Sequence, residues 1–435
     1  MKLFKKLLSV FLCMLMVFSS VSIVGATEST TAAPDEAEKS AAFTQEDFLT
    51  VKGRKMFNQR GEEVQLKGVN LGGWLVREDW LCPDQVPETD ENGEKLIYDG
   101  EYVYDTLQER FGVDAAQDLL ETYYDNWITE WDLDQIQSMG FNCVRVPFWY
   151  RNFYHDDQGT KILDDNGEWD FHYLDWIVSE CSERGLYVIL DMHGAVGSQS
   201  DAPHSGRGFA GAQLYEDSER GEEYRRLTSE LWTAIAARFN GNPAVAMYDL
   251  LNEPMCDVEC TEIERRVKNE WIYGILYDVV RAVDADHIIT MEAIWTGFAL
   301  PWTFMKGWKN VVYQVHFYNN NDFIFNFFLL LTIILHPNVP LMVGEFYPHQ
   351  QTTWKNCFKT MNNLNYSWML WTYKATGHGM WSSDWCLYGH KDGFWRADIA
   401  NGSYESIQEA WGERVQTETN FQDTGHYSTN VEAHL

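Results

Sequence analysis

Two short segments place a glutamate where an apolar run ends: Asn252-Glu253-Pro254 and Gly344-Glu345-Phe346. Two carboxyl groups flanking a glycosidic bond can cleave it, one protonating the leaving oxygen while the other attacks the anomeric carbon. Asn70, Arg145, His193, Asn252, Glu292, His316, Tyr318 and Trp371 also close apolar runs. Charged side chains are expensive to bury unpaired, so this many at run ends point to one polar site rather than to packing. Asn-Glu-Pro alone is equally well a loop turn; its weight comes from the second glutamate in a matching position.

The elements that must carry these residues are eight β-runs, at 65–70, 141–148, 186–193, 245–253, 287–292, 311–318, 339–345 and 366–373. Most are continuously apolar, as parallel strands buried on both faces are. Helical stripes lie between them, among them Leu174, Ile177, Val178 and Cys181, then Tyr224, Leu227, Leu231, Ile235 and Phe239. The alternation predicts an α/β fold of the (β/α)8 TIM-barrel type. An open doubly wound sheet is the alternative, but no G-x-G-x-x-G follows the first run. In such a barrel the C-terminal strand ends line the active site, and strands four and seven face each other. A short N-terminal β-hairpin over 49–64, turning near Gln59-Arg60-Gly61, is expected to cover the barrel bottom.

Residues 1–26 read as a signal peptide: Lys2, Lys5 and Lys6, an apolar stretch to Val24, then small residues at Gly25 and Ala26. Residues 27–45 read as a flexible acidic spacer, 46–415 as one catalytic domain, and 416–435 as a loose tail. The expected location is therefore secreted, extracellular or at the cell envelope, with no stable membrane span after cleavage, and the expected state is a monomer. The chain carries 65 Asp and Glu against 33 Lys and Arg. Such an acidic surface repels phosphate backbones and excludes nucleic acid as a partner. Cys143 and Cys181 fall on apolar faces as buried thiols, while Cys256 and Cys260 could pair; their C-x3-C spacing lacks a second half and does not read as a metal site.

Taken in order, the motifs resemble glycoside hydrolase family 5, the cellulase superfamily, over roughly residues 48–414. The segments Gly68-Val69-Asn70-Leu71-Gly72-Gly73-Trp74-Leu75-Val76 and Asp191-Met192-His193-Gly194-Ala195-Val196-Gly197-Ser198-Gln199 are similar to exo-β-1,3-glucanases of that family. The resemblance implies that Glu253 is the acid/base, Glu345 the nucleophile and Arg145 the residue that holds it. It implies Asn252 at the sugar 2-OH, His316 and Tyr318 beside the two carboxylates, His193 at the third strand end and Trp371 as a sugar platform. These roles call for a Glu253 pKa raised by poor solvation and by Glu345, and a Glu345 pKa lowered by Arg145. They need neither metal nor cofactor.

Three features stand apart. Residues 323–335 read FIFNFFLLLTIIL, where family members usually carry a charged amphipathic helix. Thirteen residues are too few to span a bilayer; a more buried helix, a frame-shifted stretch or a lipid-facing surface remain open. His204-Ser205-Gly206 lies in a loop that borders the pocket in similar glucanases. Trp381 and Trp385 follow the last strand as a sugar platform or as loop packing. The function expected is that of a retaining β-glycosidase on a β-glucan or β-glucoside, closest to exo-β-1,3-glucanase. The alternatives are endo-β-1,4-glucanase, a glucosyl-lipid or steryl-glucoside hydrolase, and an inactive sugar-binding surface protein.

Overall fold

The computed structural model describes residues 42–89, 93, 96, 98–294, 297–376, 385–391 and 396–435. The signal segment, most of the spacer and Trp381 lie outside the described residues. The sheet is a closed parallel barrel of strands β1 (Lys67–Asn70), β2 (Cys143–Trp149), β3 (Tyr187–Gly194), β4 (Val245–Asp249), β5 (Ile288–Ala293), β6 (Val311–Phe317), β7 (Leu341–Phe346) and β8 (Ser367–Leu370), each paired with its sequence neighbours and β8 with β1. Closure excludes the doubly wound sheet. The strands are buried along nearly their whole length, which is why they read as unbroken apolar runs.

The helices that feed the barrel include α1 (Gly100–Phe111), α2 (Val113–Trp127), α3 (Glu130–Ser138), α4 (His172–Glu183), α5 (Glu219–Phe239) and α6 (Glu262–Val283). The stripes are the buried faces: Leu174, Ile177, Val178 and Cys181 of α4 are all buried. Asn240 and Gly241 end α5 as the sequence requires. The barrel bottom is plugged by Leu49, Met56, Leu66, Cys143, Met247, Met342 and Met369. The hairpin contributes to this plug through Thr50–Lys52 paired with Lys55–Phe57, turning at Gly53. A second reversal over 58–62 then brings Glu63 back against Phe57, so the turn expected near Gly61 is present but is the second of two.

Four expectations need correction. The run 245–253 is not all strand: β4 ends at Asp249, and Leu250 and Leu251 continue as buried loop. Helix α7 (Asp322–Leu335) is not more buried than usual, because only Phe325, Leu329 and Thr332 face the barrel. Phe323, Phe327, Leu330 and Ile334 form an exposed stripe on its outer side. Residues 416–435 are not loose. Phe421–Asp423 pairs antiparallel with Tyr388–His390, Val431 is fully buried, and the His434 ring stacks on Phe358. Lys67 Nζ donates to the carbonyls of His434 and Leu435 at 2.9 and 2.8 Å. Gln45 likewise belongs to a 3-10 turn, Gln45–Asp47, rather than to a spacer. Among the described residues all cysteines are free, Cys256 and Cys260 included, and no helix is long and apolar enough to cross a membrane.

Candidate active site

The polar residues at the C-terminal strand ends converge. Parallel register places Asn70 beside Arg145 and His316 beside Glu345. Gly344, which precedes Glu345, has no room for a side chain: a Cβ there would come within 1.7 Å of Gln314 Oε1. Gln314 in turn donates to Asp249.

Arg145, fully buried, organises the floor. Its Nη1 donates to Glu345 Oε1 at 2.7 Å and to Asn70 Oδ1 at 3.0 Å. Its Nε donates to Asp249 Oδ2 at 2.9 Å, and its Nη2 to Asn252 Oδ1 at 2.9 Å, with Asp191 Oδ2 at 3.1 Å. One guanidinium thus faces three carboxylates in a dry environment, where the uncompensated charges are costly. Burial accordingly pushes Asp191 and Asp249 up to about 7, although Arg145 pulls them down.

Glu345 is gripped on its second oxygen by the Tyr318 hydroxyl. Burial and the charges of Glu345 and Glu253 push that phenol well above its ordinary value, so it remains a donor. Glu253 lies beyond the strand with φ +40°, a left-handed conformation unusual for a glutamate. Its backbone N–H donates to Glu292 Oε2 at 2.9 Å, its Oε1 sits 2.7 Å from His316 Nδ1, and its Oε2 sits 3.3 Å from His204 Nε2. His316 Nδ1 is also 3.4 Å from Glu345 Oε2, and its Nε2 is 3.2 Å from Glu292 Oε1.

The expected rise at Glu253 is not what the site produces. Burial does raise it, but His204, His316 and His193 outweigh burial and bring it down to about 2. The raised carboxyl is its neighbour: burial and the charges of Glu253 and Asp249 push Glu292 well above the carboxylate range.

The remaining predicted residues also line or support this pocket. His193 Nδ1 is 2.7 Å from Asp191 Oδ2 and its Nε2 is 3.2 Å from Asn252 Nδ2. The Trp371 ring stacks on His193 at 5.2 Å and 9°, and a cis peptide joins Trp371 to Thr372. Trp385 stacks on Tyr318 at 5.1 Å and faces the pocket. Gln199 locks the walls together, donating to the carbonyls of His193 and Asn252 at 2.8 Å each.

Two pocket residues escaped the sequence reading. Glu78 and Trp80 enter from the loop after β1, where Trp80 Nε1 donates to Glu78 Oε2 at 3.0 Å. Burial, reinforced by Glu345 and Glu253, pushes Glu78 up to about 8. The available signal was the charged triplet Arg77-Glu78-Asp79 set between the apolar residues Trp74 to Val76 and Trp80.

Residues 108–377 match the family Cellulase (glycosyl hydrolase family 5). The chain belongs to that family. It is 28% identical over 281 residues to a β-xylosidase of Phanerodontia chrysosporium, covering 62% of this chain and 52% of that protein. It is 30% identical over 299 residues to a probable glucan 1,3-β-glucosidase A of Aspergillus fumigatus, covering 65% and 64%. The chain therefore spans about half to two thirds of the length of these relatives. Among solved structures, an endogalactoceramidase superposes with a TM-score of 0.53 at 18% identity, covering 75% of this chain and 74% of that one. A rutinosidase from Aspergillus niger has the same score at 16% identity, covering 80% and 98%. At such identities the likeness is one of fold.

Proposed function

We propose that this chain is a secreted, retaining β-glycoside hydrolase that removes glucose from the ends of β-1,3-linked glucans or their oligosaccharides. In this reading Glu253 is the acid/base and Glu345 the nucleophile. One observation carries it. Glu253 Oε1 and Glu345 Oε2 lie 2.7 and 3.4 Å from the same atom, His316 Nδ1, so these two oxygens are at most about 6.1 Å apart. Retaining enzymes hold their carboxyl groups about 5–5.5 Å apart, and inverting ones roughly 6.5–9.5 Å, to make room for a water. The cap favours direct attack.

In the first step a Glu345 oxygen bonds to the anomeric carbon as the glycosidic bond breaks, and the leaving oxygen takes a proton from Glu253. In the second, Glu253 takes a proton from water, whose oxygen displaces Glu345 and restores both carboxyl groups. Arg145 and Tyr318 each hold one oxygen of Glu345, which fixes the attack geometry at no cost during reaction. Because the histidines keep Glu253 low in the free pocket, it takes up its proton as the sugar enters and excludes water. Asn252 meets the 2-OH, Trp371 lies under the sugar, and His193 orients Asn252.

The linkage is supported by the relatives named glucan 1,3-β-glucosidase. Secretion is supported by the basic and then apolar opening of the sequence. The exposed stripe of α7 favours a second substrate reading, a glucosyl lipid. Product analysis on laminarin and carboxymethyl cellulose, with Glu345→Gln as control, tests these readings. Glucose from laminarin that disappears in the variant supports the proposal. Oligosaccharides from the cellulose derivative move it to endo-β-1,4 action, and turnover of an alkyl glucoside alone moves it to the lipid. No turnover of any of them removes the hydrolase reading in favour of a sugar-binding protein.

A further inference from the structure

We propose that His204, Glu253 and Cys256 form a binding site for a thiophilic divalent cation such as Zn2+, whose occupancy closes the catalytic pocket. The closure rests on the acid/base reading of Glu253; the binding does not.

One ligand atom from each residue lies within 4.8 Å of the other two. His204 Nε2 and Glu253 Oε2 are 3.3 Å apart. Zinc bonds of about 2.0–2.3 Å in a tetrahedron place ligand atoms about 3.3–3.7 Å from one another, so this pair already has the required spacing. With every separation under 4.8 Å, the sulfur needs a shift of at most about 1 Å. The two atoms are also available. His204 Nε2 is buried without a hydrogen-bond partner. Glu253 Oε1 is committed to His316, which leaves Oε2 to face His204.

The backbone delivers Cys256 to this point. Glu253, Met255 and Asp257 all have positive φ, at +40°, +64° and +55°. Non-glycine residues pay for such conformations in strain, which persists where the surroundings demand it. Here it curls the segment so that Cys256 N donates to the Glu253 carbonyl at 3.1 Å and the thiol lies over its own catalytic neighbour. Cys256 also lines a cleft of about 370 Å3 with Asp257, Glu262 and Arg265. At roughly 30 Å3 per water, this cleft has room for a hydrated cation beside Cys256.

The donor set of imidazole, carboxylate and thiol suits zinc and cobalt, with water as the fourth ligand. It does not suit magnesium or calcium, which take oxygen ligands. Binding exchanges the Cys256 S–H bond for an S–Zn bond, and the proton leaves to solvent.

The test is direct titration of the full chain, kept reduced with a phosphine, with Zn2+, Co2+ and Mg2+ in separate runs. The expected result is one Zn2+ per chain, a thiolate-to-cobalt charge-transfer band with Co2+, and no binding of Mg2+. Cys256→Ser should abolish the band and weaken Zn2+ by about tenfold or more, and His204→Ala should weaken it similarly. Zn2+ should suppress aryl-glucoside turnover with the midpoint measured by calorimetry. Absence of Zn2+ binding, or unchanged binding in Cys256→Ser, overturns the proposal. If that variant does not fold, a Co2+ complex of the unaltered chain without the thiolate band overturns it equally. Binding as described by a chain that turns over no glycoside upholds the site and removes the hydrolase reading instead.

Discussion

Asn252 offers the sharpest check on how the pocket reads a sugar. Its Oδ1 is occupied by Arg145 Nη2 at 2.9 Å, which fixes the amide plane. One N–H of Nδ2 is directed at His193 Nε2, 3.2 Å away. In the role proposed for Asn252 the other N–H meets the sugar 2-OH, a contact that strengthens as charge develops at the anomeric carbon. Removing a hydrogen bond with ionic character costs about 1.5–3 kcal/mol, which is roughly 10- to 150-fold in kcat/KM. Asn252→Ala also takes one partner from Arg145, although Asp191 at 3.1 Å retains the same nitrogen. A thermodynamic cycle separates the two effects. On an aryl β-glucoside the variant should lose roughly 10- to 150-fold; on the matching 2-deoxyglucoside, which lacks the hydroxyl, the loss should nearly vanish. An equal loss on both substrates would refute the reasoning, since Asn252 would then be acting through Arg145 and Glu345 and not on the sugar.

Other outcomes follow from the same geometry. Glu253→Gln should lower kcat/KM about 10²- to 10⁴-fold for an alkyl glucoside and little for one with a strongly acidic phenol; equal losses would argue against a proton donor. Asp284, held down to about 2 against the effect of burial by His287 and backbone amides, stabilises the fold above its unfolded value near 3.8 and ceases to as pH falls toward 2. Asp284→Asn should therefore cost about 1–2 kcal/mol at pH 6, with the gap in urea midpoints closing toward pH 2, and a gap constant with pH contradicts this. Replacing Phe327 and Leu330 on the outer face of α7 by lysine should change stability by less than about 0.5 kcal/mol each and reduce self-association in light scattering; a large drop in Tm would mean the stripe is covered.

The barrel was legible because parallel strands bury both faces, so each appears as a block of apolar residues. The same cue explains the overshoot in β4: Leu250 and Leu251 are as buried as the strand, and hydropathy registers burial rather than pairing. Composition could not say which way α7 turns its side chains, since apolar residues surround it on every side. The tail showed no period because isolated contacts hold it, such as Phe421 in a short strand pair and His434 on Phe358. Strand-end residues were legible because the barrel brings every such position to one rim. Glu78 and Trp80 were not, since they arrive through a loop whose path no periodicity encodes. The titration of Glu253 was misjudged for a related reason: it depends on His204, which comes from a different loop, and on His316 across the barrel.

The floor of the pocket carries more negative groups than Arg145 can balance, and near neutrality it meets electroneutrality by retaining protons. Asp191 and Asp249 titrate near 7 and Glu78 near 8. A neutral sugar leaves this inventory largely intact, whereas a ring bearing a cationic nitrogen competes with the retained protons and expels some of them. The heat of binding such an analogue must then vary with the ionisation enthalpy of the buffer, while that of glucose varies far less. On the proposed function, this charge deficit favours occupants with developing positive charge, the oxocarbenium-like transition state among them.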